Sequence, residues 1–239
     1  MRTPYGLEII ENCLVCPHRE ERLFCDLPSV AVQTLARITS SATYPKGATL
    51  YVEGQVPRGV FILCNGRVKL STTDADGQSL IARISRSGDV LGLPATVTGR
   101  PYELSAEVIE PTQANFISRS DFLRFLRENS EAALRVAQQL AEFYQNAITE
   151  MRTIGLTHSV EEKLARFLLD QLAADVDRKD QTKLTLTFTH EEIGQMVGAS
   201  RETISRTFAE FKRKKLIQVK GSSITIASRD ALEKIAPAS

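Results

Sequence analysis

The sequence predicts an α+β fold, with an antiparallel β-roll in the N-terminal half, a long helix after it and a pair of short helices near the C-terminus. Three patterns carry this prediction. Short apolar runs separated by turn residues fill positions 43–118, and an apolar residue recurs every three or four positions across 130–156. Residues 189–213 carry the caps of two helices that are joined at a glycine.

Composition and charge are those of a globular chain that is long enough for two domains. Of its 239 residues, 42% are hydrophobic and 25% are charged, and the net charge is +1. No apolar run has the length of a membrane span, and the first residues lack a signal-peptide core. We therefore expect a cytoplasmic protein, in which cysteines stay reduced.

The first predicted segment, residues 1–28, contains three closely spaced cysteines in the pattern C-x2-C-x8-C, namely Cys13, Cys16 and Cys25. Thiolates at such a spacing can converge on one soft metal centre, which would be an iron–sulfur cluster or zinc. Inert packed thiols and a thiol switch are the alternatives. The segment is therefore a candidate sensor whose chemistry the sequence leaves open.

A fourth ligand is needed to complete a four-thiolate shell. The candidates are Cys64, His18 and Asp26. Cys64 lies inside the apolar run VFILC, where a small buried side chain is the ordinary interpretation. Cys64 is therefore either a metal ligand or a core residue.

Residues 29–129 are predicted to form one β-roll domain that begins with a short helix. Residues 29–40 have the spacing of an amphipathic helix, with Val32 and Leu35 on its inner face. Turns are predicted at residues 45–47, 65–66, 76–77 and 87–89. Strands at this spacing, with turns between them, favour a small antiparallel barrel or roll.

A long helix is predicted over residues 130–156, and its apolar stripe is narrow. The stripe includes Leu140, Tyr144, Ala147 and Met151. A stripe of this width fits the seam of a coiled coil. Packing of the helix against its own roll is the alternative, and the two are compatible because the roll must bury the other flank of the helix.

The C-terminal domain, residues 157–239, contains two short helices joined by a tight turn. Thr189, with Glu192 three residues later, has the sequence signature of a capping box. Gly198 can adopt the left-handed conformation that ends a helix, and Ser200 can cap the next helix. This arrangement predicts a helix-turn-helix.

The second of these helices is apolar on one face and polar on the other. Its predicted buried side contains Ile204, Phe208 and Phe211. The polar face presents Arg201, Glu202, Ser205 and Arg206. Because arginine can bind a guanine edge through two hydrogen bonds, glutamate can accept from cytosine and serine can bond to either base type, this face suits the major groove of DNA.

Basic residues are concentrated in the same region. Residues 199–220 contain seven Lys or Arg and two Glu, a local net charge of +5, whereas the rest of the chain carries −4. Lysines late in the second helix suit phosphate groups, which give affinity without sequence choice. A helical hairpin with a solvated basic face is the alternative. The coincidence of caps, turn, buried spacing and base-contacting residue types favours DNA binding.

The segment GQMVGASRETISRTFAEFKRKKLI resembles the DNA-binding segment of the Crp/Fnr family of bacterial transcription regulators, and residues 217–227 resemble the wing that follows it. The order YPKGATLYVEG, FILCNGRVKL, SGDVLG resembles the cyclic-nucleotide-binding β-roll of that family. The resemblance implies a winged helix-turn-helix and a dimerisation helix, hence a homodimer on palindromic double-stranded DNA, with RNA polymerase as a further partner. No nucleophile–base motif is present in the sequence, so enzymatic activity is not expected.

The same resemblance implies which side chains contact DNA. Glu202 and Arg206 are the expected base contacts, joined by Arg201, as in the catabolite-activator branch, and by Ser205, as in the oxygen-sensor branch. The half-site therefore stays open between a TGTGA-like and a TTGAT-like sequence. The expected contacts with the DNA backbone are Thr189, His190, Ser200, Thr203, Lys212 and Lys220.

For the roll, the resemblance implies an effector pocket around Gly92, Leu93, Leu104 and Ser105. The branch that binds cyclic AMP has a glutamate at the position of Leu93 for the ribose and an arginine at the position of Leu104 for the phosphate. Leucine at both positions argues against cyclic AMP as the effector. The oxygen-sensor branch carries a distant cysteine that would fall near Asn115, which is not a cysteine.

Overall fold

The computed structural model describes residues 5–7, 9–10, 12–156, 159–173, 183–185, 188–220 and 223–236. The chain divides into two compact units, Met1–Asn146 and Ala147–Ser239. The predicted boundary at residue 157 lies outside the described residues, and the division falls within the long helix because the first half of that helix packs on the roll. In the parts of the chain that are described, no helix is both long and apolar enough to cross a membrane.

The N-terminal segment has little regular structure before its first long helix. A short 3₁₀ helix, Cys13–Val15, begins at Asn12, whose side chain accepts a hydrogen bond from the helix backbone at 2.9 Å. Turns follow until helix α1, Ser29–Ile38. Val32 and Leu35 are buried on its inner face, so the predicted amphipathic helix is confirmed with an end at residue 38.

Six antiparallel strands form the β-roll. They are β1 (Ser40–Tyr44), β2 (Thr49–Tyr51), β3 (Gly59–Thr73), β4 (Ser79–Ser85), β5 (Val90–Leu91) and β6 (Ser105–Ser118). Their order in the sheet is β1-β6-β3-β4, with β2 paired to β6 and β5 paired to β3. Strands β3 and β6 pair along most of their length, with register shifts that bend both strands. This pairing confirms the roll.

Besides α1, three helices accompany the roll: α2 (Leu93–Thr98), α3 (Arg119–Glu128) and α4 (Ser130–Leu156). Helix α4 is the long predicted helix, and its first half has one face buried in the core of the first unit. Val136 packs in that core, and the Gln139 side-chain amide donates to the Val90 carbonyl oxygen at 3.4 Å. Other side chains of α4, among them Tyr144 and Ala147, are exposed.

Besides the end of α4, the second unit contains four helices and three strands within its described residues. They are α5 (Val160–Ala173), β7 (Lys183–Thr185), α6 (His190–Val197), α7 (Arg201–Arg213), β8 (Ile217–Lys220), β9 (Ser223–Ile226) and α8 (Arg229–Ile235). The strands form an antiparallel sheet in the order β7-β9-β8. The β8–β9 hairpin occupies the predicted wing, and residues 221 and 222 between its strands lie outside the described chain.

Candidate nucleic-acid interface and cysteine cavity

The turn between α6 and α7 is held by the caps that the sequence predicts. Thr189 Oγ1 accepts from the Glu192 backbone N–H at 3.2 Å, and the Glu192 carboxylate accepts from the Thr189 backbone N–H at 2.7 Å. Gly198 ends α6 with a left-handed φ of 68°. Ser200 Oγ then accepts from the Thr203 backbone N–H at 3.2 Å and begins α7. The capping box, the left-handed glycine and the second cap are all confirmed.

Gly194 is a further requirement of this turn that sequence analysis missed. Its carbonyl oxygen accepts a hydrogen bond from the Ala199 backbone N–H at 2.9 Å. A Cβ atom at position 194 would lie 2.4 Å from the Ala199 carbonyl oxygen. The turn therefore packs against α6 only because residue 194 has no side chain. A glycine inside a regular helical pattern was the available signal.

Helix α7 separates an apolar face from a polar one. The buried side chains are Ile204, Phe208 and Phe211, as predicted. On the opposite face, the exposed side chains are Arg201, Glu202 and Arg206, with Ser205 half-buried beside them. All four side chains expected at base edges thus lie on the face of α7 that does not pack in the core.

Ser205 is held in place by His190, the first residue of α6. His190 Nδ1 is hydrogen-bonded to Ser205 Oγ at 2.9 Å, and its ring stacks on Phe208 with centroids 4.8 Å apart. Burial, and after it the positive charges of Lys212 and Arg201, lowers the pKa of His190 from its ordinary value of 6.5. The imidazole is therefore largely neutral at pH 7, and it orients Ser205 without adding charge to the surface.

Five of the six side chains expected at the DNA backbone fall into two groups, and the sixth, His190, is hydrogen-bonded to Ser205. Lys212 and Lys220 are exposed at the end of α7 and on the wing. The hydroxyls of Thr189, Ser200 and Thr203 already take part in helix caps, with Ser200 Oγ and Thr203 Oγ1 3.0 Å apart. The first group suits phosphate through charge, whereas the second lies at the helix N-termini, where backbone N–H groups also favour anions.

All four cysteines line one small cavity between the N-terminal segment and the roll. Its volume is about 20 Å³. Cys64 is buried on β3, and Cys13, Cys16 and Cys25 are half-buried. The other polar side chains that line the cavity are Arg19, Arg22 and Asn115. The structure thus brings together the three N-terminal thiols and the one distant thiol that the sequence proposed as a fourth ligand.

Burial dominates the protonation of these thiols. Burial raises the pKa of Cys64 to about 12 and that of Cys25 to about 11, and it also raises the pKa of Cys13. Repulsion between neighbouring thiols adds to each increase, at Cys64 from Cys13 and at Cys13 from Cys16. These three thiols are therefore protonated at pH 7 in the structure, and they lie within electrostatic range of one another.

His18 and Asp26, the other candidates for a fourth ligand, do not line the cavity. His18 Nδ1 lies 3.3 Å from the Glu21 carboxylate, and Asp26 Oδ2 lies 3.2 Å from Arg135 Nη2. Both side chains thus have partners elsewhere on the surface, which is a correction to the sequence-based candidates. Across the described residues, no group of three or more His, Cys, Asp or Glu side chains is placed so that it could hold a metal ion. The four thiols share a cavity but do not form a ligand set.

Asn115 contacts Cys13 directly, which the sequence did not reveal. Its Nδ2 donates a hydrogen bond to Cys13 Sγ at 3.5 Å. Asn115 lies on β6 opposite Ile62 of β3, and Cys64 follows Ile62 by two residues. The one hint in the sequence is the resemblance that places the distant cysteine of the oxygen-sensor branch near this position.

The residues expected around an effector pocket are packed into the core of the roll. Leu93 is fully buried, and Leu104 packs against the core that contains Tyr102, whose ring stacks on a second tyrosine at 4.0 Å. A Cβ at Gly92 would lie 2.8 Å from the Tyr102 ring. Ser105 Oγ accepts a backbone N–H at 3.0 Å. These positions offer no fixed cation for a cyclic phosphate.

Comparisons with known proteins match both halves of the chain. A model of the cyclic nucleotide-binding domain matches residues 42–129, and a model of the Crp-like helix-turn-helix domain matches residues 162–235, so together they span more than half of the chain. The CRP-like cAMP-activated global transcriptional regulator of Mycobacterium tuberculosis is 26% identical over 214 residues, 89% of this chain and 95% of that protein. The fumarate and nitrate reduction regulatory protein of Vibrio cholerae is 28% identical over 195 residues, 80% of this chain and 76% of that protein.

Solved structures share the architecture. FixK2 from Bradyrhizobium japonicum matches with a TM-score of 0.72 at 23% identity, over 84% of this chain and 99% of that one. The c-di-GMP-responsive global regulator CLP from Xanthomonas campestris matches with a TM-score of 0.75 at 15% identity, over 84% of this chain and 100% of that one. The predicted α+β fold, with its β-roll and winged helix-turn-helix, is confirmed. By both domain matches and by its relatives, the chain belongs to the Crp/Fnr family of DNA-binding transcription regulators.

Proposed function

We propose that the protein is a homodimer that binds a palindromic DNA site through helix α7 and controls the access or activity of RNA polymerase there. The observation that carries the proposal is the exposed face of α7, on which Arg201, Glu202 and Arg206 lie opposite the buried side. A helix with this polarity fits the major groove with its N-terminal residues at base edges. The protein acts in the cytoplasm, where its DNA lies.

Glu202 and Arg206 are the base contacts in this proposal, and Arg201 and Ser205 adjust the half-site. Arg206 Nη2 lies 3.5 Å from Thr203 Oγ1, which is a weak contact that holds the guanidinium along the helix. When DNA binds, a base edge takes the place of Thr203 as the partner of the guanidinium. Ser205 is oriented by its hydrogen bond to a histidine of α6. Because the four side chains occupy two successive turns, they span a few adjacent base pairs.

Contacts with phosphate groups position this face on the duplex. Lys212 and Lys220 supply charge, which makes binding salt-dependent. Thr189, His190, Ser200 and Thr203 flank the helix N-termini, where hydroxyl and backbone N–H groups can bind phosphate oxygens.

The second half of α4 is the proposed dimer seam. Tyr144 and Met151 are 68% and 67% exposed, and Ala147 is exposed between them. Leu140 is half-buried in the core of the first unit and marks the edge of the stripe. Large apolar side chains at heptad spacing on an exposed helix face suit a partner helix from a second copy. A dimer would give the two recognition helices that a palindrome requires.

The signal enters, in this proposal, at the cysteine cavity. Cys13, Cys16 and Cys25 are ligands for a thiolate-bound metal centre, either an iron–sulfur cluster or zinc. The donor types suit such metals, because four thiols and no carboxylate line the cavity, but the thiols must move closer together before they can hold an ion. A bound centre of this kind makes a protein responsive to oxygen, nitric oxide or redox state.

A regulator that responds to another small effector, with structural cysteines, is the second candidate. The observation in its favour is that the four thiols are buried or half-buried, and that no group of three or more ligand side chains in the described residues could hold a metal ion. Leu93 and Leu104 argue against a cyclic nucleotide in either case. Metal content separates the two candidates.

The DNA-binding proposal is tested by fluorescence anisotropy with a duplex recovered by selection and with an unrelated duplex. Glu202→Ala and Arg206→Ala should each weaken binding to the selected duplex by about 1–3 kcal/mol and leave binding to the unrelated duplex nearly unchanged. Lys212→Ala should weaken both equally and reduce the slope of log K against log salt by about 1. Arg100→Ala, an exposed change in the first unit, is the control. Equal losses on both duplexes for Arg206→Ala would refute the assignment of base contacts.

A further inference from the structure

We infer that His190 sets the direction of the hydrogen bond that Ser205 offers to a base edge, and thereby decides which base Ser205 prefers. This inference rests on the DNA-binding face proposed above, and it adds a specificity-determining residue outside the recognition helix. The observation behind it is a contact between two helices. His190 is the first residue of α6, and its Nδ1 lies 2.9 Å from Ser205 Oγ of α7. A side chain of α6 thus acts on a base through a side chain of α7.

The imidazole of His190 is held in one orientation. Its ring stacks on Phe208 with an angle of 4° between the two planes, and Phe208 is itself only 2% exposed in the core of the second unit. The capping box of Thr189 and Glu192 fixes the backbone from which the ring extends. The ring therefore keeps Nδ1 towards α7 without a further cost in ordering when DNA binds.

The hydroxyl of Ser205 can present either of two groups to DNA. Ser205 is half-buried, and among the described residues the imidazole of His190 is the hydrogen-bond partner of its hydroxyl. A serine hydroxyl has one hydrogen to donate and two lone pairs. When the hydrogen goes to Nδ1, lone pairs remain for the base and Ser205 accepts. When Nδ1 itself donates, the hydroxyl hydrogen is free for the base and Ser205 donates.

The second ring nitrogen, Nε2, decides between these two directions. His190 is exposed, and within the described residues its Nε2 has no hydrogen-bond partner. The phosphate contact proposed above for His190 takes the hydrogen of Nε2, so that Nδ1 of a neutral imidazole has a lone pair and accepts from Ser205. Ser205 then presents lone pairs to DNA. These favour the amino group of adenine or cytosine over the carbonyl oxygen of thymine or guanine.

Protonation of His190 reverses the hydrogen bond, because both nitrogens of an imidazolium are donors. Ser205 then accepts from Nδ1–H and has its own hydrogen free for the carbonyl oxygen of thymine or guanine. The preferred base at one position of the half-site therefore depends on the charge of a residue that lies in the other helix.

The charged groups around His190 favour the neutral form. Burial, and after it the positive charges of Lys212 and Arg201 on α7, lowers the pKa of His190 from 6.5. Its own helix contributes Glu191 and Glu192 in the same first turn. In the free protein the imidazole is therefore mostly neutral at pH 6.5 and above. A bound phosphate, being negative, raises the pKa and brings the reversal closer to that pH.

The test measures the affinity of the full-length protein for its selected duplex and for duplexes with one base pair changed at each half-site position, by fluorescence anisotropy at about pH 8. Ser205→Ala identifies the base pair that Ser205 contacts, because discrimination falls there. His190→Phe keeps an aromatic ring over Phe208 but cannot form the hydrogen bond. We expect it to reduce discrimination at the same position by roughly two- to tenfold and to leave the other positions unchanged. Combining both substitutions should add nothing at that position.

The wild-type protein gives a second readout that does not depend on how a variant folds. Between about pH 8 and about pH 5.5, its preference at that one base pair should move towards thymine or guanine as the contacted base. Ser205→Ala and His190→Phe should show no such shift. Thermal unfolding reports whether each variant is folded, and where His190→Phe is not, the pH readout decides.

The outcomes separate this inference from the proposed function. An equal loss on every duplex in a folded His190→Phe protein would mean that His190 contacts phosphate alone, and it would overturn the inference, as would a wild-type preference that does not change with pH. A Ser205→Ala protein without a position-specific change would overturn it too, while discrimination lost in Glu202→Ala and Arg206→Ala would leave the proposed function standing. A wild type that binds all the duplexes equally would contradict both.

Discussion

Gly194 shows how much one residue contributes to the geometry of the DNA-binding element. With a Cβ at this position only 2.4 Å from the Ala199 carbonyl oxygen, either α6 or the turn must move. Because α7 begins directly after the turn, such a movement would change the angle at which the recognition helix leaves α6.

Gly194→Ala should therefore destabilise the protein by about 1–3 kcal/mol, the usual cost of overpacking, although alanine favours helix more than glycine does. Denaturant unfolding measures the change in the free energy of unfolding. Gln195→Ala, the next position in α6, is the matched control and should change it by less than about 0.5 kcal/mol. A Gly194→Ala protein as stable as the control would show that the turn relaxes freely.

For single residues, roles that depend on near neighbours in the chain could be predicted from the sequence, whereas roles that depend on tertiary contacts could not. Thr189, Gly198 and Ser200 act within a few residues of themselves, so sequence spacing alone locates the caps. Gly194 depends on where the chain returns after the turn, and the hydrogen bond from Asn115 to Cys13 joins residues about 100 positions apart, a distance over which no periodic pattern acts.

An ion pair joins helix α4 to the cysteine segment. Asp26 immediately follows Cys25, and its carboxylate lies 3.2 Å from Arg135 of α4. The same guanidinium also pairs with Glu131 one turn earlier at 3.2 Å. A movement of Cys25 therefore shifts a charge that bonds to the helix proposed as the dimer seam.

Asp26→Asn should leave stability within about 1 kcal/mol of the wild type, because the ion pair is partly exposed. We expect it to reduce the difference in DNA affinity between metal-loaded and metal-free protein, measured by anisotropy with both forms. Glu131→Gln is the matched control, since it removes the other carboxylate on Arg135 without touching the cysteine segment. An unchanged difference in Asp26→Asn would mean that the signal takes another route.

The exposed stripe of α4 makes a separate prediction about assembly. Tyr144→Glu should convert the dimer to monomer or weaken it by at least about tenfold, because the seam would bury two like charges. Sedimentation velocity over a range of concentrations measures this. Gln138→Glu, an exposed position on another face of the helix, should leave the dimer intact. A dimer that is indifferent to Tyr144→Glu places the interface elsewhere.

The helix itself was predictable because its apolar period extends over 27 residues. The assignment of its faces was only partly predictable. Leu140 belongs to the predicted stripe, yet it packs partly in the core of the first unit, because the roll covers the flank of α4 on which it lies. The spacing of apolar residues predicts which side chains share one side of a helix. Which side becomes buried depends on where the neighbouring sheet packs, and the spacing does not contain that information.

At the scale of the whole molecule, the basic residues and the cysteines are concentrated in different units. The basic residues concentrate at α7 and the wing, with a local charge of +5 in residues 199–220, whereas the cysteines are all in the first unit. Such a division suits a regulator in which one unit receives a signal and the other binds DNA.

The fold and the polar face of α7 could be predicted from the sequence because both depend on repeated local patterns. The cysteine cavity required the structure, since its four thiols come from a turn-rich segment and a strand.

The most direct test of the account is selection of duplexes from a random pool by the wild-type protein, followed by sequencing of the bound fraction. The account predicts an inverted repeat whose half-sites lie about 10 base pairs apart, centre to centre, with each half-site lost when Arg206 is replaced by alanine. Recovery of no repeat, with equal affinity for unrelated duplexes, would contradict sequence-specific regulation and indicate a protein that binds DNA without reading it.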